Sequence, residues 1–168
     1  MENAFQSGAR KVIPAVLIYA RRGTRLLMIH KTTDKDSWHT GKWNGLGGKC
    51  ELDESPLEAA RREFQEEAGV DLPEGAFKPL GVLQFPNFKP QRQEDWMVFV
   101  FQAHFPAGEA QKSCDEGELH WVEMSKLPGL PLWEGDKEFL PWVAESRPFI
   151  GTFWYEGKRL ARHWLTPL

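Results

Sequence analysis

A mixed α/β fold is what the 168 residues predict, on three observations. Several short runs rich in Val, Ile, Leu and Phe are bounded by turn residues, as strands are. One helix, opening at Pro56, carries signals at both of its ends. The length suffices for one real core and is short for two, and no linker, repeat or low-complexity stretch divides the chain, so residues 1–168 are expected to form a single domain.

In chain order, residues 11–20 and 25–31 read as strands joined by a turn at 21–24. Residues 32–42 are polar and read as a loop, and 43–49 form a Gly-rich extended stretch leading into the helix. Residues 81–85 and 96–105 read as strands, separated by a loop at 86–95 rich in Pro, Gln and charge. Residues 118–123 predict a further strand, 124–127 a helical turn and 136–146 a second helix. Residues 149–155 and 160–164 close the chain as a hairpin around Glu156-Gly157.

The helix is the best specified element. Ser55-Pro56-Leu57-Glu58 matches a capping box with Pro at the first helical position, and Gly69 supplies a left-handed stop after Ala68. Leu57, Ala60, Phe64 and Ala68 make the apolar stripe, with Arg61 and Gln65 on the far side. Beside that stripe, Glu63, Glu66 and Glu67 fall within about one third of the helix circumference. Like charges three and four residues apart repel, and acids near a helix C-terminus oppose its dipole. A solvated acidic face is one reading; a divalent cation held among the oxygens is the other.

Composition restricts the function classes. A formal net charge of −3 argues against a nucleic-acid backbone as the main partner. Cys50 and Cys114 are the only cysteines and suggest no disulfide framework. Residues 1–10 lack the apolar centre of a signal peptide, and the longest apolar run, 15–20, is far short of a membrane span, so a cytoplasmic location is expected. The oligomeric state is open. The phosphate-loop reading of Gly45-x-Gly47-Gly48-Lys49 fails, because Trp43 and Cys50 stand where that loop needs Gly and Ser or Thr. These glycines instead let the backbone approach a metal or a phosphate, or form a bulge.

Gly48, five residues, Glu54, seven residues and then Arg62-Glu63-Phe64-Gln65-Glu66-Glu67-Ala68-Gly69-Val70 resembles the signature of the Nudix hydrolase family at each fixed position. Phe64 is the one variant, an aromatic in a slot more often aliphatic. The resemblance implies the Nudix α/β/α sandwich with a mixed sheet, and hydrolysis of a phosphoanhydride. Oxygen-only carboxylate ligands suit a hard cation, so Mg²⁺ is expected, with Mn²⁺ as a substitute. Glu63, Glu66 and Glu67 are the expected ligands, beside the Gly48 backbone, with Glu66 or Glu67 a candidate general base. Arg62 either orients Glu63 or pairs with Glu66 one turn on. Glu54 is expected to support the loop before the helix. The family often supplies a further acid from outside the box, and Glu116 of the Asp115-Glu116 turn is the candidate. The histidines His30, His39, His104, His120 and His163 are scattered without zinc spacing and are read as structural or surface residues.

Outside the box, Gly41-Lys42-Trp43-Asn44-Gly45-Leu46-Gly47-Gly48-Lys49 is similar to the MutT-type branch that hydrolyses oxidised purine nucleoside triphosphates, as are the segments 132–136 and 149–153. That similarity implies a small-molecule nucleotide as partner. It places Asn44 on the base, Trp133 stacked on the purine and Asp136 on the base edge. The human member of that branch has two adjacent acids after its Trp-Pro; here Gly135 replaces one, with Glu134 a possible substitute through a shifted backbone. Lys31 and Lys49 are candidates for phosphate oxygens, and Phe85 and Phe88 for the base-pocket wall. The products implied are a nucleoside monophosphate and pyrophosphate. The alternatives are another nucleoside-diphosphate-linked substrate, such as a sugar nucleotide or dinucleoside polyphosphate, and a non-catalytic nucleotide sensor.

Overall fold

The computed structural model describes residues 10–32 and 38–168. The centre of the predicted 32–42 loop and residues 1–9 lie outside the described residues. Among the described residues ten strands form one mixed sheet: β1 (Lys11–Arg22), β2 (Arg25–Lys31), β3 (Trp43–Asn44), β4 (Leu46–Lys49), β5 (Phe77–Lys89), β6 (Glu94–His104), β7 (Ser113–Cys114), β8 (Gly117–Glu123), β9 (Phe149–Glu156) and β10 (Arg159–Pro167). The spatial order is β10-β9-β5-β6-β1-β2-β8-β7, with β3 on β2 and β4 on β1. The pairs β1–β6 and β5–β9 are parallel and the others antiparallel. Helices α1 (Pro56–Ala68) and α2 (Glu134–Ala144) pack on opposite sides, giving the α/β/α sandwich.

Alternation along β1 builds both layers. Val16, Ile18 and Ala20 join Ala60, Phe64 and Ala68 of α1 in one core, while Ala15 and Tyr19 join Phe139, Leu140 and Val143 of α2 in the other. Phe64 meets Phe77 and Phe105 edge-on with centroids 5.9 and 6.0 Å away, so the aromatic variant is absorbed by aromatic neighbours. The capping box forms as expected: Ser55 Oγ accepts the Glu58 N–H, and Glu58 Oε2 accepts the Ser55 N–H. Gly69 adopts φ 72° and its N–H returns to the Gln65 carbonyl.

The expected boundaries need three corrections. The 86–95 loop is mostly strand: β5 runs to Lys89, and only Pro90–Arg92 makes a 3₁₀ turn before β6. A bulge between Phe85 and Lys89 absorbs the irregular residues. Asp95 ties this end down, its Oδ1 accepting the Asn87 N–H at 2.6 Å and an Arg10 N–H at 2.9 Å. Helix α2 begins at Glu134 rather than 136 and stops at Ala144, with Glu134 and Asp136 in its first turn, where their charge suits the dipole. The short strand β7 was not foreseen; two residues carry no period to read.

Candidate active site

Strand β4 and helix α1 bring the box residues together through close backbone approach. Gly47, at φ 151°, passes so near β1 that a Cβ would stand 2.0 Å from the Val16 carbonyl oxygen. Its N–H donates to Glu67 Oε2 at 3.0 Å. At Gly48 a Cβ would stand 2.3 Å from Glu63 Oε1, so glycine lets the Glu63 carboxylate lie against the strand.

Arg62 organises the acids. Its Nε donates to Glu54 Oε1 at 2.6 Å, its Nη2 to Glu54 Oε2 at 2.9 Å, and its Nη1 to Glu63 Oε1 at 2.9 Å. Nη2 also reaches the Lys49 carbonyl at 3.1 Å. Glu66 Oε2 is 3.5 Å away, the weakest of these contacts, so Arg62 holds Glu63 more firmly than it holds Glu66. Glu54 also accepts the Glu51 N–H at 2.8 Å, bracing the loop before α1. Paired hydrogen bonds from Arg62 lower the Glu54 pKa, and they raise that of Arg62 in return.

Glu63, Glu66 and Glu67 line a cleft of about 340 Å³ together with Gln111, Cys114, Asp115 and Glu116. Glu116 sits on the β7–β8 turn at the edge of this cleft and ion-pairs with Lys31 at the end of β2. Glu67 is only 6% exposed. Burial first, and the Glu116 charge second, push its carboxyl up to about 8; burial likewise raises Glu63. The donor set is all oxygen, and the crowded charge would be relieved by a hard divalent cation, so the residues fit such an ion. Among the described residues no three acids or histidines are drawn into a finished cage. Three of the carboxylates are held by local partners: Glu63 by Arg62, Glu67 by the Gly47 amide and Glu116 by Lys31. Gln111 Nε2 caps α1, donating to the Glu67 carbonyl at 2.6 Å and the Glu66 carbonyl at 3.1 Å.

A second group gathers at the start of α2. Trp133 Nε1 bonds His39 Nδ1 at 3.0 Å, and its ring lies near Trp38 and edge-on to Tyr155. Lys42 Nζ stands 5.3 Å from the Trp133 ring centroid and donates to the Leu132 carbonyl. Asp136 is 8% exposed, with a buried, unpartnered Oδ2. Burial pushes its carboxyl up to about 7, against the lowering effect of Lys42. Asn44 lies on β3 opposite Ile29, and the preceding Trp43 stacks on His30 at 4.6 Å. The next residue, Gly45, packs on the ring of Tyr19, whose hydroxyl is buried.

The remaining candidates fall elsewhere. Lys49 Nζ lies 5.3 Å over the Trp96 ring and does not join Lys31. Phe85 packs near Phe153 and Tyr155, and Phe88 packs on Phe85 and Trp96. Glu134 is engaged with β10, its Oε2 accepting the Leu160 N–H at 3.2 Å. Sequence reasoning missed Tyr19, His39, Lys42 and Tyr155. Only the G-K-W-N string offered a signal, and that for Lys42 alone.

The NUDIX domain profile matches residues 10–143. An oxidized purine nucleoside triphosphate hydrolase of Danio rerio is 32% identical over 123 residues, 73% of this chain and 76% of that protein. The mouse protein of the same name is 27% identical over 122 residues, covering 73% and 75%. Among solved structures, a MutT protein from Bacillus halodurans aligns with a TM-score of 0.76 and 28% identity, covering 91% of this chain and 97% of that one. The sandwich and the sequence relatives define a phosphoanhydride hydrolase. The chain belongs to the Nudix family, whose enzymes act on small-molecule nucleotides and generally use divalent cations. Among the described residues no helix is long and apolar enough to cross a membrane.

Proposed function

We propose that this protein is a Mg²⁺-dependent pyrophosphohydrolase of nucleoside triphosphates, with an oxidised purine such as 8-oxo-dGTP as substrate and a monophosphate and pyrophosphate as products. The observation that carries the reading is the single cleft lined by Glu63, Glu66, Glu67 and Glu116. Those four side chains, with the Gly48 backbone beside them, are the ligands for the cation; Mn²⁺ is a substitute of the same hard-oxygen preference. When bound, such an ion neutralises phosphate charge and acidifies a water.

The chain supplies the remainder. Arg62 fixes Glu63 in place through its fork to Glu54. Glu67, held by the Gly47 amide in the same cleft, is placed to take a proton from the attacking water at its carboxylate. Lys31 faces the same acids through Glu116 and is placed to exchange that partner for a phosphate oxygen. Trp133 offers an aromatic face to the purine, while Asp136 and Asn44 read its edge. The relatives named for oxidized purine triphosphates support this substrate class.

Initial rates with Mg²⁺ on 8-oxo-dGTP, dGTP, dATP, GTP, ADP-ribose, GDP-mannose and a diadenosine polyphosphate test it. A lead in kcat/KM for 8-oxo-dGTP is expected. A lead for a sugar nucleotide or dinucleotide would replace the substrate and keep the chemistry; no turnover of any member would refute an enzymatic role.

A further inference from the structure

Residue 135 is where a second acid beside Asp136 is missing, and the surroundings show why no side chain stands there. A Cβ on Gly135 would lie 2.7 Å from the Tyr155 hydroxyl oxygen and 2.9 Å from Phe153 Cδ1. Tyr155 has taken the space. It reaches across from β9, its ring edge-on to Trp133 with centroids 6.2 Å apart and near-parallel to Phe85 at 6.4 Å. Its hydroxyl oxygen accepts the Gly135 N–H at 2.7 Å.

The hydroxyl's remaining capacity can be counted. A phenol has two lone pairs and one proton to give. The Gly135 N–H uses one lone pair, and among the described residues no acceptor receives the proton. Asp136, near enough to act electrostatically on the Tyr155 hydroxyl, holds a buried Oδ2 without a partner. Unsatisfied polar atoms in an apolar setting are costly, and sites built this way discriminate strongly for a ligand that completes them.

We propose that Tyr155 is a specificity-determining residue, its hydroxyl donating to a carbonyl oxygen on the purine edge while Asp136 accepts the adjoining ring N–H. The ligand class is therefore a 6-oxopurine nucleotide, whose O6 acceptor lies beside the N1–H donor. A 6-aminopurine reverses both groups and sets a ring-nitrogen acceptor against the Asp136 oxygen. The inference rests on the nucleoside triphosphatase reading above and adds to it the residue that selects the base.

The test compares dGTP with the 2,6-diaminopurine deoxynucleoside triphosphate, which differs at the 6-position and its adjoining N1–H. Wild-type kcat/KM should favour dGTP by about a hundredfold, since the diaminopurine reverses both edge contacts, and Tyr155→Phe should remove about tenfold of that preference, as the loss of one hydrogen bond predicts. The change should fall on KM for dGTP, with the diaminopurine substrate nearly unaffected. Gly135→Ala, which displaces the hydroxyl, should erode the same preference. Gly135→Ala/Tyr155→Phe should recover thermal stability relative to Gly135→Ala without recovering the preference. Equal losses on both substrates in Tyr155→Phe would mean that Tyr155 is only a packing wedge and would overturn the inference. So would a wild-type enzyme that turns over both substrates equally, while leaving the triphosphatase reading intact. Failure of the wild type to hydrolyse either triphosphate would overturn both.

Discussion

Replacing Glu67 by Gln should stabilise the cation-free protein at alkaline pH. The Glu67 carboxyl sits at about 8 in the folded state against an ordinary 4.5, chiefly through burial and then through Glu116. The folded value is the higher, so the folded state holds the proton more tightly. Below about 4.5 both states are protonated and the residue has no pH-dependent cost. Between about 4.5 and 8 the unfolded chain ionises and the folded one does not, so stability falls as pH rises; above 8 the loss is complete. At about 1.4 kcal/mol per pH unit the gap sets a ceiling of about 5 kcal/mol, which local relaxation and the partial exposure of the cleft reduce to about 2 kcal/mol. Gln keeps the volume and can still accept the Gly47 N–H, but never ionises. Urea unfolding in chelator should therefore find the variant equal to wild type near pH 4 and about 2 kcal/mol more stable near pH 9. A difference that does not change with pH, or a variant less stable at pH 9, would refute the argument. Added Mg²⁺ should narrow the alkaline gap by stabilising wild type more than the variant.

The same Glu67→Gln enzyme should lose activity by about three orders of magnitude, measured as initial rate at saturating substrate; near-normal turnover would mean the site is misplaced. Arg62→Ala strands Glu54 and Glu63 without their fork and should cost about 2–4 kcal/mol in chemical denaturation. Arg62→Lys should recover less than half of that, because an ammonium cannot span both Glu54 oxygens. Trp133→Ala should raise KM for purine triphosphates by about tenfold with kcat less changed. An unmoved KM for every purine would remove Trp133 from the pocket.

Local chemistry explains which features were legible in the sequence. Helix α1 was readable to its caps because Ser55, Pro56, Glu58 and Gly69 act within a few residues of themselves. The carboxylate face was readable because helical spacing is fixed, and so was the pairing of Arg62 with Glu63; the Arg62 fork to Glu54, eight residues away across the helix start, was not. The far end of the β5–β6 hairpin was not, because Pro86, Asn87 and Pro90 look like loop residues until a bulge and the Asp95 carboxylate account for them. Tyr155 was out of reach for a different reason. Its contact with Gly135 joins residues twenty apart through a helix start and a strand, and nothing local in either residue announces it. The same holds for Trp133 and His39, ninety-four positions apart in the chain.

The two halves of the proposed site lie on opposite faces of the sheet, so a substrate that meets both needs a segment that joins the layers. The carboxylates belong to the α1 layer, and Trp133, Asp136 and Tyr155 to the α2 layer. The segment 43–49 reaches both. Gly45 packs against the Tyr19 ring of the α2-side core, two residues before Gly47 donates to Glu67 and three before Gly48 yields to Glu63. Every one of these contacts needs the absence of a side chain, since a Cβ would meet Tyr19 at 2.9 Å, the Val16 carbonyl at 2.0 Å and Glu63 at 2.3 Å. Glycine in this stretch therefore lets the segment that carries β3 and β4 link the proposed base-reading group to the proposed phosphate-facing group. A Cβ at Gly47 would meet backbone that cannot swing aside, so substitution there should disturb both halves together. At Gly48 the obstacle is the end of a flexible side chain, and the disturbance should stay with Glu63. Gly48→Ala should thus lower kcat with base preference preserved, whereas Gly47→Ala should lower kcat and blur the preference. Equal behaviour of the two variants in a kcat and KM comparison on dGTP and dATP would show that the segment does not couple the two halves.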